Sequence, residues 1–323
     1  MPSRITPSAR RPLAAVAVIG LTAALLGVAS AASAHESTAP AVAAISASGS
    51  ASAVGFSVSS AEAASAVAVW TPERRAAAID LDLDGVSGSA PAHDALAASA
   101  ASAVSNAQRI APVSHMGRLF IHRDGDYFSC SANVVESANR STIATAGHCL
   151  TSHQVFSTDM VFYPGYEEGQ PAVGEFPVVG GNVTTGWYQR NDGDQAEDTA
   201  FLAVGHDAAG DDLQSVAGAS PVRFFEPAAQ EASMYGYPAG PPFDGSELER
   251  CAGPGHATSA MQIDLACNMT GGVSGGPILQ GDGPDGAQFG NVAELSSDGT
   301  HNVGPLWQDD AESAYDLTAA IAV

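Results

Sequence analysis

Gly271-Gly272-Val273-Ser274-Gly275-Gly276-Pro277 is the stretch on which the reading of the chain turns. A serine flanked by glycines fits a tight turn that exposes its hydroxyl beside converging backbone N–H groups, because glycine permits positive φ and close approach. Taken alone, the string is equally a plain surface turn. Two upstream stretches change its weight. In Ser141-Thr142-Ile143-Ala144-Thr145-Ala146-Gly147-His148-Cys149 a buried-strand pattern delivers a histidine to a turn, and Asp198 abuts the apolar run Thr199-Ala200-Phe201-Leu202-Ala203-Val204. The order His, Asp, Ser is one of the known arrangements in which a base activates a hydroxyl and a carboxylate orients the base.

The totals bound the answer. The chain has 323 residues, 45% of them hydrophobic, which is enough for a sizeable core. Its formal net charge is −23, and all 12 basic residues are arginine. The acidity is uneven: residues 1–109 carry net −1, and residues 110–323, with 6 Arg against 28 acids, carry net −22. Such a surface argues against nucleic acid as a partner, since phosphate binding needs basic groups. Solubility is the simplest use of the charge.

Arg4, Arg10 and Arg11 precede an apolar stretch from Leu13 to Val28, and Ala32-Ser33-Ala34 follows as a small-residue cleavage site. Residues 1–34 therefore read as a signal peptide, with His35 next, and the apolar stretch is short for a membrane span. Arg10-Arg11 leaves both the general and the twin-arginine export routes open. The expected location is extracellular, with no membrane attachment after cleavage. Four cysteines in an oxidising space are expected to form disulfides, and four allow three pairings. They lack C-x-x-C spacing and no H-E-x-x-H occurs, so neither a metal nor a cofactor is expected.

Residues 35–109 are dominated by Ala, Ser and Val, with Phe56 and Trp70 the only aromatics, a composition expected to be largely disordered or to serve as a pro-segment. Trp70-Thr71-Pro72-Glu73-Arg74 predicts a short helix with Thr71 as N-cap and Pro72 in its first turn. Asp80-Leu81-Asp82-Leu83-Asp84-Gly85 begins like a calcium loop, but Pro91 stands at the twelfth position, where Glu is needed, so it reads as a solvated acidic turn.

From Ile110 short apolar runs alternate with Gly, Asn, Asp and Pro turns: Met116–His122, Phe128–Val135, Ser141–Ala146, Met160–Tyr163, Phe176–Val179 and Thr199–Val204. This spacing predicts an all-β barrel or sandwich. Gly205–Ala219 reads as a connection, after which Val222–Phe225 and Ala232–Tyr235 read as strands. The acid partner of His148 lies among Asp192, Asp194, Glu197 and Asp198, of which Asp198 alone adjoins an apolar strand able to bury it.

Together the three stretches resemble the chymotrypsin-like (trypsin-like) serine peptidases over roughly residues 110–323, and Tyr235-Gly236-Tyr237-Pro238 resembles a turn of their bacterial, secreted, glutamyl-endopeptidase-like branch. The resemblance implies two six-stranded antiparallel barrels. Residues 110–220 would carry His148 and Asp198, and residues 221–323 would carry Ser274 and a C-terminal helix from Asp309, with Ala314, Leu317 and Ile321 on its apolar face. It implies a monomeric secreted endopeptidase, made as a zymogen with the 35–109 pro-segment, acting on proteins or peptides. His148 would be the base, Asp198 its orienter, Ser274 the nucleophile, and the backbone N–H groups of Gly272 and Ser274 the oxyanion hole. It implies a Cys130–Cys149 bridge beside the histidine turn, which leaves Cys251–Cys267. It places the base of the substrate pocket at the neutral Asn268, with Met269 and Thr270 on its wall, so a Lys or Arg preference is not expected. Val292-Ala293-Glu294-Leu295-Ser296-Ser297 matches the strand that pairs with substrate. His301 lies beyond the place of the branch's acid-selecting histidine, so no glutamyl preference is expected. Val273 stands where vertebrate digestive members have Asp, so their activation switch is unavailable. The alternative is a catalytically silent binding protein that kept the fold. An esterase with a Gly-x-Ser-x-Gly elbow would place its serine ahead of the acid and the histidine.

Overall fold

The computed structural model describes residues 53–81, 106–190 and 195–323. The signal-peptide reading of residues 1–34, most of the calcium-like loop, and the candidate acids Asp192 and Asp194 lie outside the described residues.

The alternating runs of the first half become a closed barrel. Met116–Arg123 and Asp126–Val135 form a hairpin whose two-residue turn, Asp124-Gly125, has φ of 53° and 94°. Positive φ at both positions matches the right-handed twist of the paired strands, and Asp-Gly tolerates it. Asp126–Val135 pairs with Thr142–Thr145, which pairs with Ala200–Val204, which pairs with Phe176–Thr184. The ring shuts where Phe176 and Pro177 meet Phe162 and Val161 of Thr158–Pro164, a strand that pairs back onto Met116–Arg123. Leu119, Ile121, Phe128, Phe162, Phe176 and Leu202 fill the interior.

The second half wraps two sheets around one core. Glu231–Gly236 lies between Glu249–Pro254 and Pro277–Gln280, and Gln288–Asn291 extends that sheet. Gln262–Ala266 lies between His256–Ser259 and His301–Pro305, which also carries Glu294–Leu295. Met234, Ile263, Leu265, Met269, Ile278 and Phe289 meet between them. Cys251–Cys267 joins the two sheets, and Cys130–Cys149 crosslinks the first half, the pairings that the resemblance implied. Gln108–Arg109 adds to the edge of Glu249–Pro254, so the residues just before 110 belong with the second half. Val222–Phe225, expected as a strand, is an isolated bridge at Val222↔Gln288 instead, and Phe225 is exposed with φ 63°.

The C-terminal helix Asp309–Ala319 forms and buries Ala314 as expected, but Leu317 does not share that face. Leu317 is 49% exposed, and Ala311, Ala314 and Thr318 are buried. Small side chains let the helix lie close on Ala144 and Phe201, and Thr318 accepts a hydrogen bond from Asn182 Nδ2 at 2.9 Å. Leucine at 317 would hold the helix off the barrel.

Residues 53–81 correct the expectation of disorder. Ala53–Ser57 is a strand on Phe176–Thr184, Ser60–Val69 and Pro72–Ala77 are helices, and Ile79–Asp80 pairs in parallel with Phe128–Ser129. Thr71 caps the second helix as expected, accepting from the Arg74 N–H at 3.3 Å. Asp80 is buried, contrary to its reading as part of a solvated turn. Low hydrophobicity misleads here because Ala63 and Ala66 pack flat against the barrel and Trp70, a large side chain, is buried as well.

Candidate active site

The histidine turn is held by three devices, a strand, a disulfide and a buried arginine. Strand Thr142–Thr145 runs into the single helical turn Gly147–Leu150, which carries His148. The Cys130–Cys149 bridge ties this turn to the neighbouring strand, and closing a loop of its length contributes on the order of 3 kcal/mol. Arg123 holds the turn from the other side. Its buried guanidinium donates to the carbonyls of His148 at 2.7 Å and Cys149 at 3.1 Å. Nothing local singles out Arg123, which simply follows the apolar run Met116–His122.

Asp198 is fully buried, and its carboxylate grips His148 twice. Oδ1 accepts the His148 backbone N–H at 2.8 Å, and Oδ2 lies 2.6 Å from the ring Nδ1. One acid thus fixes both the place of the turn and the direction of the ring. Glu197, the other described candidate, is engaged with Arg190 at 3.4 Å instead. The second half supports the acid. Asn291 Nδ2 donates to the Asp198 carbonyl at 2.9 Å, and Asn291 Oδ1 accepts from Thr199 Oγ1 at 2.8 Å and Trp307 Nε1 at 3.1 Å. A buried amide with that many partners is a rigid strut. It too was invisible in the sequence, being contributed by a strand of the other half.

The serine loop is wedged onto the same turn. Ser131 donates its N–H to the Ser274 carbonyl and its Oγ to the Gly272 carbonyl, both at 2.8 Å. Gly275 has φ 82°, and a Cβ there would run into Thr145 Oγ1 and the Ser131 carbonyl and come within 2.8 Å of the Ala146 nitrogen. The loop therefore touches the two residues that lead into Gly147-His148. Ser274 Oγ itself donates to the Ala293 carbonyl at 3.4 Å, and Gly272 turns with φ 92°. Val273, in place of a charged residue, is buried in the second core. The cluster Cys130, His148 and Cys149 has the spacing of a metal site, but both sulfurs are consumed by the disulfide.

The expected pocket residues are buried. Asn268 Oδ1 accepts the N–H groups of Asn106 and Ala107 at 3.1 and 3.3 Å, and Asn106 Oδ1 accepts from the Asn268 N–H. Met269 packs in the second core, and Thr270 Oγ1 donates to the Gly240 carbonyl at 2.7 Å. The short strand Glu294–Leu295 follows Ala293, and burial together with the nearby Asp198 carboxylate raises the Glu294 pKa. His301 donates its N–H to Ser296 Oγ at 2.9 Å.

Beside the serine loop, the segment from Pro238 to Glu249 lines an acidic cleft of about 170 Å³ that includes Asp244, Glu247 and Glu249. Glu249 is buried, and burial with the adjacent Glu247 pushes its carboxyl up to about 7, against the opposing pull of Arg109. The folded state therefore holds this proton to higher pH than the unfolded state does. Its contribution to stability is present at low pH and is lost as pH rises through the interval from about 4.5 to 7. Glu249→Gln is expected to raise the melting temperature at pH about 8 and to leave it unchanged at pH about 4. Equal shifts at both would refute the assignment.

No protein-family model and no curated protein matches the sequence. Solved structures do match. The protease Anisep from Arthrobacter nicotinovorans is 32% identical with a TM-score of 0.63, its whole length (100%) matched by 67% of this chain. The thermostable serine protease AL20, from an extremophilic microorganism, is 36% identical with a TM-score of 0.60, 97% of its length matched by 64% of this chain. A Glu endopeptidase is 18% identical with a TM-score of 0.55, over 98% of its length and 68% of this chain, which is a likeness of fold.

Proposed function

Because the chain belongs to the chymotrypsin-like serine peptidases, we propose that it is a secreted endopeptidase that cuts proteins or peptides through a Ser274–His148–Asp198 triad and an acyl-enzyme. The observation that carries this reading is the double grip of a fully buried Asp198 on His148, on the turn against which the Ser274 loop is wedged.

The chemistry follows from the residue types. A serine hydroxyl is a poor nucleophile until a base takes its proton. Asp198 at Nδ1 keeps a proton there, which leaves Nε2 as the ring's proton acceptor. Ser274 Oγ attacks the substrate carbonyl while His148 takes the hydroxyl proton. The Gly272 and Ser274 N–H groups take the negative charge that develops on the carbonyl oxygen, and one such donor is worth about 3 kcal/mol. His148 then gives its proton to the leaving amine as the C–N bond breaks. Water, deprotonated by His148, releases the acyl group from Ser274. The buried Asp198 stabilises each imidazolium without taking the proton itself.

Export fits the two disulfides, which suit an oxidising space. No helix among the described residues is long and apolar enough to cross a membrane. We read the mature protein as a monomer that uses neither nucleic acid nor a cofactor.

The test is reaction of the purified protein with a fluorophosphonate probe, with Ser274→Ala as control. Labelling of the wild type at one serine, lost in Ser274→Ala, is the expected result. A folded wild type that takes no label would instead favour the catalytically silent binding protein.

A further inference from the structure

The peptidase chemistry makes no use of residues 53–81, yet this stretch is bound to the first barrel at several separate places. The first is a strand addition. Thr158–Pro164 covers only the start of the free edge of Phe176–Thr184, at Phe176 and Pro177. Ala53–Ser57 takes the rest, in continuous register from Ala53↔Thr184 to Ser57↔Gly180. An open edge left there would be a template for wrong pairing. Phe56 adds side-chain contact, stacking on Phe156 with ring centres 5.0 Å apart.

The second place is a socket for Trp70. The indole is buried against Phe120 and Tyr127, with centroids 5.2 and 5.3 Å away, and its Nε1 donates to the Asp159 carbonyl at 2.5 Å. The third is a buried cation. The Arg75 guanidinium lies over the Tyr163 ring at 4.8 Å, 3.6 Å from the Glu175 carboxylate, and donates to the Gly169 carbonyl at 3.3 Å. A buried guanidinium needs such partners, because without them its charge is left desolvated and unpaired. Beyond these, Ile79–Asp80 continues onto Asp126–Val135, and Leu81 enters the barrel core.

Backbone pairing, an aromatic plug and a buried arginine on one ligand are the features of a tight peptide complex, with main-chain bonds giving affinity and side-chain sockets giving register. We infer that residues 53–81 are a lasting part of the first barrel. When the chain is broken between residues 82 and 105, this piece stays seated, with its strand on Phe176–Thr184 and Trp70 in its socket. Processing after residue 81 then yields a two-chain protein and does not strip the barrel.

The test uses the full chain with Ser274→Ala, so that it cannot digest itself, and a recognition site for a highly specific viral protease inserted between residues 88 and 94. After cutting, the two pieces are expected to co-elute on gel filtration at micromolar concentration and to give their summed mass under native ionisation. Trp70→Ala in the same background is expected to lose the N-terminal piece. Separate elution of the two pieces without that substitution overturns the proposal. Hydrogen exchange on the uncut Ser274→Ala chain needs no insertion. The amides of residues 54–57 are expected to exchange as slowly as those of 180–184, and exchange at the rate of an unstructured peptide overturns the proposal as well.

Discussion

Asp198→Asn is expected to lower kcat by about 10⁴-fold with little change in KM. The replacement has the same shape, and its carbonyl oxygen can still accept the His148 backbone N–H that now sits 2.8 Å from Oδ1. What changes is the atom facing Nδ1. Oδ2, an acceptor at 2.6 Å, becomes an NH₂ donor, and a donor there is satisfied only by an unprotonated Nδ1. The ring proton moves to Nε2, which can then no longer accept a proton from Ser274. The loss therefore appears in kcat, because the substrate meets the same pocket and only proton transfer fails. Thermal unfolding separates this from damage to the fold. The Asn291 strut on the Asp198 carbonyl does not depend on the side chain, so the first barrel keeps its anchor. A loss below about tenfold would remove Asp198 from the mechanism, since an orienting acid this buried has no solvent to replace it.

The parts of the site that could be read from sequence are those encoded locally. His148 is legible because an apolar strand and a small residue deliver it to a turn, and Asp198 because the apolar run that becomes the strand Ala200–Val204 begins right after it. Arg123, Asn291 and Asn106 are not legible, because each works across a long sequence separation on a partner that only the fold brings near. Residues 53–81 fail for a different reason. An alanine-rich helix carries little amphipathic signal, and its burial comes from the flatness of the surface it lies on. The one local sign was Trp70, a large aromatic beside a well-capped helix start, and the structure buries it against Phe120 with its Nε1 on the Asp159 carbonyl. The C-terminal helix shows the same bias. A search for large apolar residues selects Leu317, and close packing selects Ala311, Ala314 and Thr318.

Gly275→Ala is expected to cost about 4 kcal/mol, which for a protein of this size lowers the melting temperature by roughly 10 °C. Two separate penalties combine. The first is backbone strain: φ at 82° is open to glycine, and an alanine there gives up 1–2 kcal/mol or so. The second is space. The added methyl would overlap Thr145 Oγ1 and the Ser131 carbonyl, and it would sit 2.8 Å from the Ala146 nitrogen. None of these can step aside cheaply. Thr145 Oγ1 donates to that same Ser131 carbonyl at 2.9 Å, and the Ser131 N–H is bonded to the Ser274 carbonyl. Relief must come from parting the serine loop from the Thr145-Ala146 lead into His148, which in the proposed mechanism is the contact that sets nucleophile against base. Activity in the folded fraction should therefore fall together with stability, and the fluorophosphonate labelling rate of that fraction should drop at least as steeply. A variant that keeps wild-type stability would mean that the loop has room at Gly275, and the close fit between the serine loop and the histidine turn would then not be what positions the site.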